Sequence, residues 1–137
     1  MSPFNADCCI GDFHMVTAEQ MCSYIGVWLK EYALGRYVRL SVVDRAEERV
    51  VGTVEIFGGE SGVLRIDLPV RYEVRMFLEE LLALARDEMA RDFPMGRMCF
   101  KAHTALRRAA ARAQGFLPSD FRKGGDYWEY RLNEEDR

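Results

Sequence analysis

The stretch Val63-Leu64-Arg65-Ile66-Asp67-Leu68, stopped by Pro69 and followed by Val74, Phe77, Leu78, Leu81, Leu82, Ala85 and Met89, decides the fold. Its first six residues are rich in aliphatic and β-branched types and read as a strand. The apolar residues after Pro69 recur at intervals of three and four, which predicts one long helix from about Tyr72 to Arg91. Pro94 and Gly96 break that pattern, and Arg97–Ala102 reads as a strand again. A strand, helix and strand linked in this way form a βαβ crossover. Such a crossover needs parallel neighbours and lays its helix on one face of a sheet.

Upstream of that unit, Arg36–Val43 and Val50–Phe57 are two further strand candidates. The charged run Asp44–Arg49 separates them, and Gly58-Gly59-Glu60-Ser61-Gly62 joins the second to Val63. Connections this short favour antiparallel neighbours, so the three strands form a meander. Before them, Thr17 with Gln20 three residues on has the form of a capping box. Met21, Ile25, Trp28, Leu29 and Tyr32 then follow at helical spacing, and Gly35 sits where a left-handed cap belongs. The reading is a helix over Thr17–Leu34 with its apolar stripe, Trp28 and Tyr32 included, against a core. Cys8–Phe13 is a weak strand candidate. Downstream, Thr104 caps a second helix whose Leu106, Ala109, Ala110 and Ala113 face inward and which ends at Gly115. Phe116–Phe121 and Asp126–Leu132 close the sheet around Lys123-Gly124-Gly125, with Trp128 and Tyr130 on one face and Tyr127 on the other. The tail from Asn133 is charged and reads as frayed. The order is α-β-β-β-α-β-α-β-β: an α/β protein with a mixed sheet, parallel in the middle and antiparallel outside, over residues 1–137 as one domain.

Composition fits that reading. The 137 residues are 49% apolar and 30% charged, which is globular rather than disordered. A net charge of −3 gives no electrostatic reason for a nucleic-acid partner. No apolar run approaches the roughly 18 residues of a membrane span, and no secretory signal pattern opens the chain, so a cytoplasmic protein is expected. Cys8, Cys9, Cys22 and Cys99 lack zinc-ligand spacing and read as reduced thiols, Cys99 within the core; no metal is expected. Seven basic residues against one acid lie between Arg97 and Lys123, and Arg108 and Arg112 share a helical face. They suit either a solvated surface or a polyanion.

Several local sequences, in this order, resemble the GNAT N-acetyltransferase superfamily. Val50-Val51-Gly52-Thr53-Val54 is similar to its central antiparallel strand, and Val63–Leu68 to the strand that carries acetyl-CoA. Glu80-Leu81-Leu82-Ala83-Leu84-Ala85 is similar to the helix after it, and Gly115-Phe116 to the "GF" step after the last helix. The likeness covers Arg36–Leu132. It implies a GNAT-like acyltransferase fold and acetyl-CoA as cofactor, bound along Leu68, Tyr72, Glu73, Val74, Arg75, Met76, Phe77 and Leu78. It also implies an acceptor that is a small amine or a protein N-terminus or lysine.

The resemblance also marks departures. Family members wrap the CoA pyrophosphate in a glycine-rich loop at a helix N-terminus, where bare amides approach phosphate closely. Here Val74, Met76 and Leu78 stand at the small positions, and Glu73 stands where a basic or amide residue would face phosphate. Arg71 and Arg75 offset part of that charge. The Tyr that protonates the leaving thiolate in many members falls at Ala111. Glu55 and Asp67 are carboxylates available as general base, and His103, Tyr127 and Tyr130 are alternative acids; which residues are catalytic stays unassigned. The front of the fold is short. Two functions follow: an acetyl-CoA-dependent N-acetyltransferase, or an inactive GNAT-fold binding module that has lost CoA and pairs with itself or a partner.

Overall fold

The computed structural model describes residues 16–133. The strand reading at Cys8–Phe13, with Cys8 and Cys9, and the tail after Asn133 lie outside the described residues. Helix α1 spans Ala18–Ala33, with Thr17 as N-cap and the expected capping box formed with Gln20. Gly35, at φ +67, ends it by donating to the Tyr32 carbonyl while Arg36 donates to Glu31, the double closure of a Schellman cap. Strands β1 (Tyr37–Asp44), β2 (Arg49–Gly58) and β3 (Ser61–Asp67) form the expected meander. After a 3-10 turn at Val70–Tyr72, α2 runs Arg75–Asp87, followed by a second 3-10 turn at Met89–Asp92. Then come β4 (Arg97–Lys101), α3 (Ala105–Ala113), β5 (Leu117–Pro118) and β6 (Tyr127–Arg131).

The six strands make one sheet in the order β1-β2-β3-β4-β6-β5. Only the β3–β4 pair is parallel, as the crossover requires. One face carries Val54, Ile56, Leu64, Ile66, Met98 and Phe100. It packs on Leu78, Leu81, Leu82 and Ala85 of α2 and on Ala110 and Ala111 of α3. These side chains are almost wholly removed from water, and each large one contributes about 1.5–3 kcal/mol on burial. The opposite face carries Arg39, Glu55, Arg65 and Asp67 together with a smaller apolar cluster of Val63, Cys99 and Tyr127.

Four expectations are corrected. The long helix is shorter than Tyr72–Arg91, because Glu73 and the extended Val74 precede α2 and its last turn gives way to 3-10 geometry at Met89–Asp92. Of the closing strand Phe116–Phe121 only Leu117–Pro118 pairs, since Pro118 has no amide to extend the ladder. Helix α3 is rotated: Arg107, Ala110 and Ala111 are its buried residues, and Ala113 is exposed. Helix α1 buries no residue at all. Met21, Ile25, Leu29 and Tyr32 are exposed and Trp28 is half-buried, because the helix lies along the β1 side of the sheet rather than across its middle.

Candidate functional site

Two places on the sheet gather the residues singled out from the sequence. The first is the end of the parallel seam. Strands β3 and β4 pair over Ser61–Leu64 and Arg97–Phe100, and β3 then runs on through Arg65, Ile66 and Asp67 without a β4 partner. Leu68 is fully buried beyond it. Into this opening comes Arg107 from α3, its side chain 1% exposed. Its guanidinium donates to the Ile66 carbonyl at 2.8 Å and to both oxygens of Glu73 at 3.1 and 2.5 Å, and it lies 5.3 Å from the Phe100 ring centroid.

The other residues of the implied acyl-CoA loop scatter. Leu78 belongs to the core, Phe77 packs beside Tyr72, and Met76 is 79% exposed. Val74 is the N-cap of α2 and supplies no capping side chain. Tyr72 donates to Asp44 at 2.8 Å. Arg75 pairs with Glu79 and Arg71 lies over the Tyr72 ring, so both are engaged locally. A pyrophosphate cradle needs small residues, bare amides and positive charge together. The α2 N-terminus is uncapped, but it presents bulky side chains in place of the small ones, and a carboxylate already committed to Arg107 in place of positive charge. The residues present do not fit the group.

The catalytic candidates divide between the faces. Ala111 is fully buried in the core and has nothing to donate. Tyr130 packs against Phe116 with Arg86 over its ring, while Tyr127 is buried on the other face against Phe121. Trp128 shares the face of Tyr130, as alternation requires, and Arg112 lies over its ring. Arg108 is half-buried and donates to the Ala102 carbonyl, while Arg112 is exposed. His103 is half-buried just before the Thr104 cap. Among the described residues no cluster of three or more His, Cys, Asp or Glu could hold a metal ion.

The second place lies on the open face. Arg39, Glu55 and Arg65 stand directly opposite one another on β1, β2 and β3. Glu55 is 3.2 Å from Arg39 and 3.6 Å from Arg65, and Arg65 also pairs with Asp67 at 2.5 Å. The row is electrically balanced. Glu55 nonetheless has its carboxyl pushed above the ordinary range: burial disfavours its charge by more than the two guanidiniums favour it, and Asp67 adds to the rise. Its Oε1 accepts no well-directed hydrogen bond. Beside it opens a cavity of about 490 Å³, walled by the rings of Trp28, Tyr37 and Phe57 and rimmed by Glu31 and Arg36. Trp28 stacks on Tyr37 with centroids 6.1 Å apart, and the Arg39 guanidinium lies 5.4 Å from the Trp28 ring. Sequence reasoning named Glu55 and Trp28 separately. Their meeting depends on where α1 lies, which spacing within either segment does not reveal.

No protein-family model matches the chain, and no curated protein matches its sequence. Solved structures do match. The ribosomal-protein-S5-alanine acetyltransferase of Vibrio fischeri superposes with a TM-score of 0.61 at 13% identity, covering 91% of this chain and 78% of that one. A nucleotide-linked sugar GNAT, FdhC, gives 0.59 at 10% identity over 97% of this chain and 78% of its own. Spermidine N-acetyltransferase from Vibrio cholerae, in complex with CoA and spermine, gives 0.53 at 15% identity over 72% of this chain and 61% of its own. The chain thus has the GNAT acetyltransferase fold, as the local motifs implied. At these identities the likeness is one of fold, and function has to be argued from the site.

Proposed function

We propose that this chain is a GNAT-fold binding module for a small amine, which it takes in the cavity between α1 and the open face of the sheet, without the acyl-CoA-dependent transfer of its structural neighbours. The observation that carries the reading is Glu55: a buried carboxylate at the wall of an aromatic cavity, whose Oε1 has the Arg39 guanidinium at 3.2 Å but no well-directed hydrogen bond. An ammonium group would add to that oxygen the well-directed, charge-assisted hydrogen bond that Arg39 does not supply, and the rings of Trp28 and Tyr37 would take its apolar body. The protein works in the cytoplasm on this reading.

Titration of the protein with phenethylamine, followed by Trp fluorescence and calorimetry, tests it. The amine is expected to bind at least about tenfold more tightly than phenylethanol, and Glu55→Gln to remove that preference, a difference of about 1.4 kcal/mol. Affinity should fall as pH drops through the raised Glu55 value, because the protonated carboxyl no longer attracts a cation. Equal affinity for amine and alcohol would sink the reading.

A second reading is an N-acetyltransferase that moves the acetyl group of acetyl-CoA to a small amine or to a protein N-terminus or lysine. The position of Glu55 favours it, since the carboxylate stands opposite Arg65, the first β3 residue past the last β3–β4 pair. There it could take a proton from an attacking amine. Release of free CoA thiol on mixing acetyl-CoA, amine and protein would establish it.

A further inference from the structure

The opening of the parallel seam is filled from within, and we infer that the Arg107–Glu73 pair has replaced the cofactor as the part that holds β3, β4 and the α2 entrance together, so that this groove takes no acyl-CoA. Four segments meet at one guanidinium. Arg107 belongs to α3, donates to Ile66 of β3 and to Glu73 in the loop before α2, and lies over Phe100 of β4. Ile66 is two residues past the last β3–β4 pair, so its carbonyl is one that the splayed strand offers to whatever occupies the groove. In this chain the occupant is a side chain.

The pair is also closed electrically. Arg107 and Glu73 have side chains only 1% and 7% exposed, and the two-pronged contact neutralises both charges where neither reaches water freely. A phosphate could compete for the guanidinium only by stripping it from Glu73. That would leave a nearly buried carboxylate beside new negative charge. The charge that reads in the sequence as an obstacle to phosphate is therefore one half of a structural pair. Its other half, Arg107, sits in a run of basic residues that reads as either a solvated surface or a polyanion site.

Two measurements test the inference, and neither depends on the amine site. Thermal unfolding of the unmodified protein in millimolar CoA or acetyl-CoA is expected to show no rise in melting temperature; a dose-dependent rise would overturn it, because any ligand of the folded state raises that temperature by mass action. A double-mutant cycle of Arg107→Met and Glu73→Gln is expected to show a clear loss for each single change and a loss for the pair well below their sum. Additive losses would overturn it. Should Arg107→Met fail to fold, Arg107→Lys with Glu73→Asp reads the same coupling at smaller amplitude. In every folded variant phenethylamine affinity should stay at the starting value, so a failure here is distinct from a failure of the proposed function.

Discussion

Burial acts on both Glu55 and Cys99 of the open face, with a different consequence for each. The Cys99 thiol is pushed up to about 11, mainly by desolvation, although Arg97 pulls the other way. At pH 8 only about one molecule in a thousand carries the thiolate, which is the reactive form. Iodoacetamide should therefore label the exposed Cys22 and leave Cys99 untouched until the protein unfolds, as peptide mass spectrometry would show; rapid native labelling of Cys99 would contradict its placement. For Glu55 the folded-state value is raised, so its contribution to stability is complete below the ordinary carboxylate value and is lost as pH rises through the raised one. Glu129 behaves oppositely. The Ser119 hydroxyl, then Arg97, hold its carboxyl below the usual range, so its contribution is present above the ordinary value and disappears in acid. Strand alternation identified Glu55 as a carboxylate on a central strand. It could not tell which face lay open, because that depends on where helices distant in sequence come to rest.

At the level of elements, the short motifs were the legible part and helix rotation was not. Val50–Val54 reads as a central strand, and its glycine has a physical reason. A Cβ on Gly52 would run into the Asp67 carbonyl and the Leu68 side chain, so β2 and β3 approach there only without one. Next to it, Val51 is the extra residue of a bulge between Val42 and Val43, which lets both Val42 and Val51 reach the core. Gly52→Ala should cost about 1–3 kcal/mol, measurable as a lower urea midpoint; an unchanged midpoint would mean that the strands can part at no cost. Helix caps were equally legible, since Thr17 and Thr104 each accept from the amide three residues on, and Gly35 and Gly115 both take positive φ. The facing of α3 was not. Its residues do form an amphipathic pattern, with Leu106, Ala109, Ala110 and Ala113 on one side, but tertiary packing overrides it. Packing chose the rotation that sends Arg107 inward.

For the whole molecule, the exposed apolar residues concentrate along α1 and the β1 edge. Tyr24, Ile25, Val27, Leu29 and Tyr32 of α1 are joined there by Leu40 and Val43 of β1, which is an outer strand of the sheet. Among the described residues nothing covers them, and a patch of this kind favours self-association. Light scattering behind a sizing column should give about twice the 15.8 kDa of one chain at high concentration, and Leu29→Glu should return it to one chain. A strict monomer at every concentration would count against the homodimer that the sequence suggests.

The short parallel seam has a further consequence for how the chain assembles. The meander β1–β3 unites neighbours in sequence through brief turns, so it can form while the rest is still disordered. The seam cannot. It has four paired positions to recompense closure of the entire α2 crossover, and the tie from Arg107 to Ile66 beyond them spans 41 positions. The second half of the sheet therefore bears the larger closure cost, and the Arg107 guanidinium is one of the contacts that offset it.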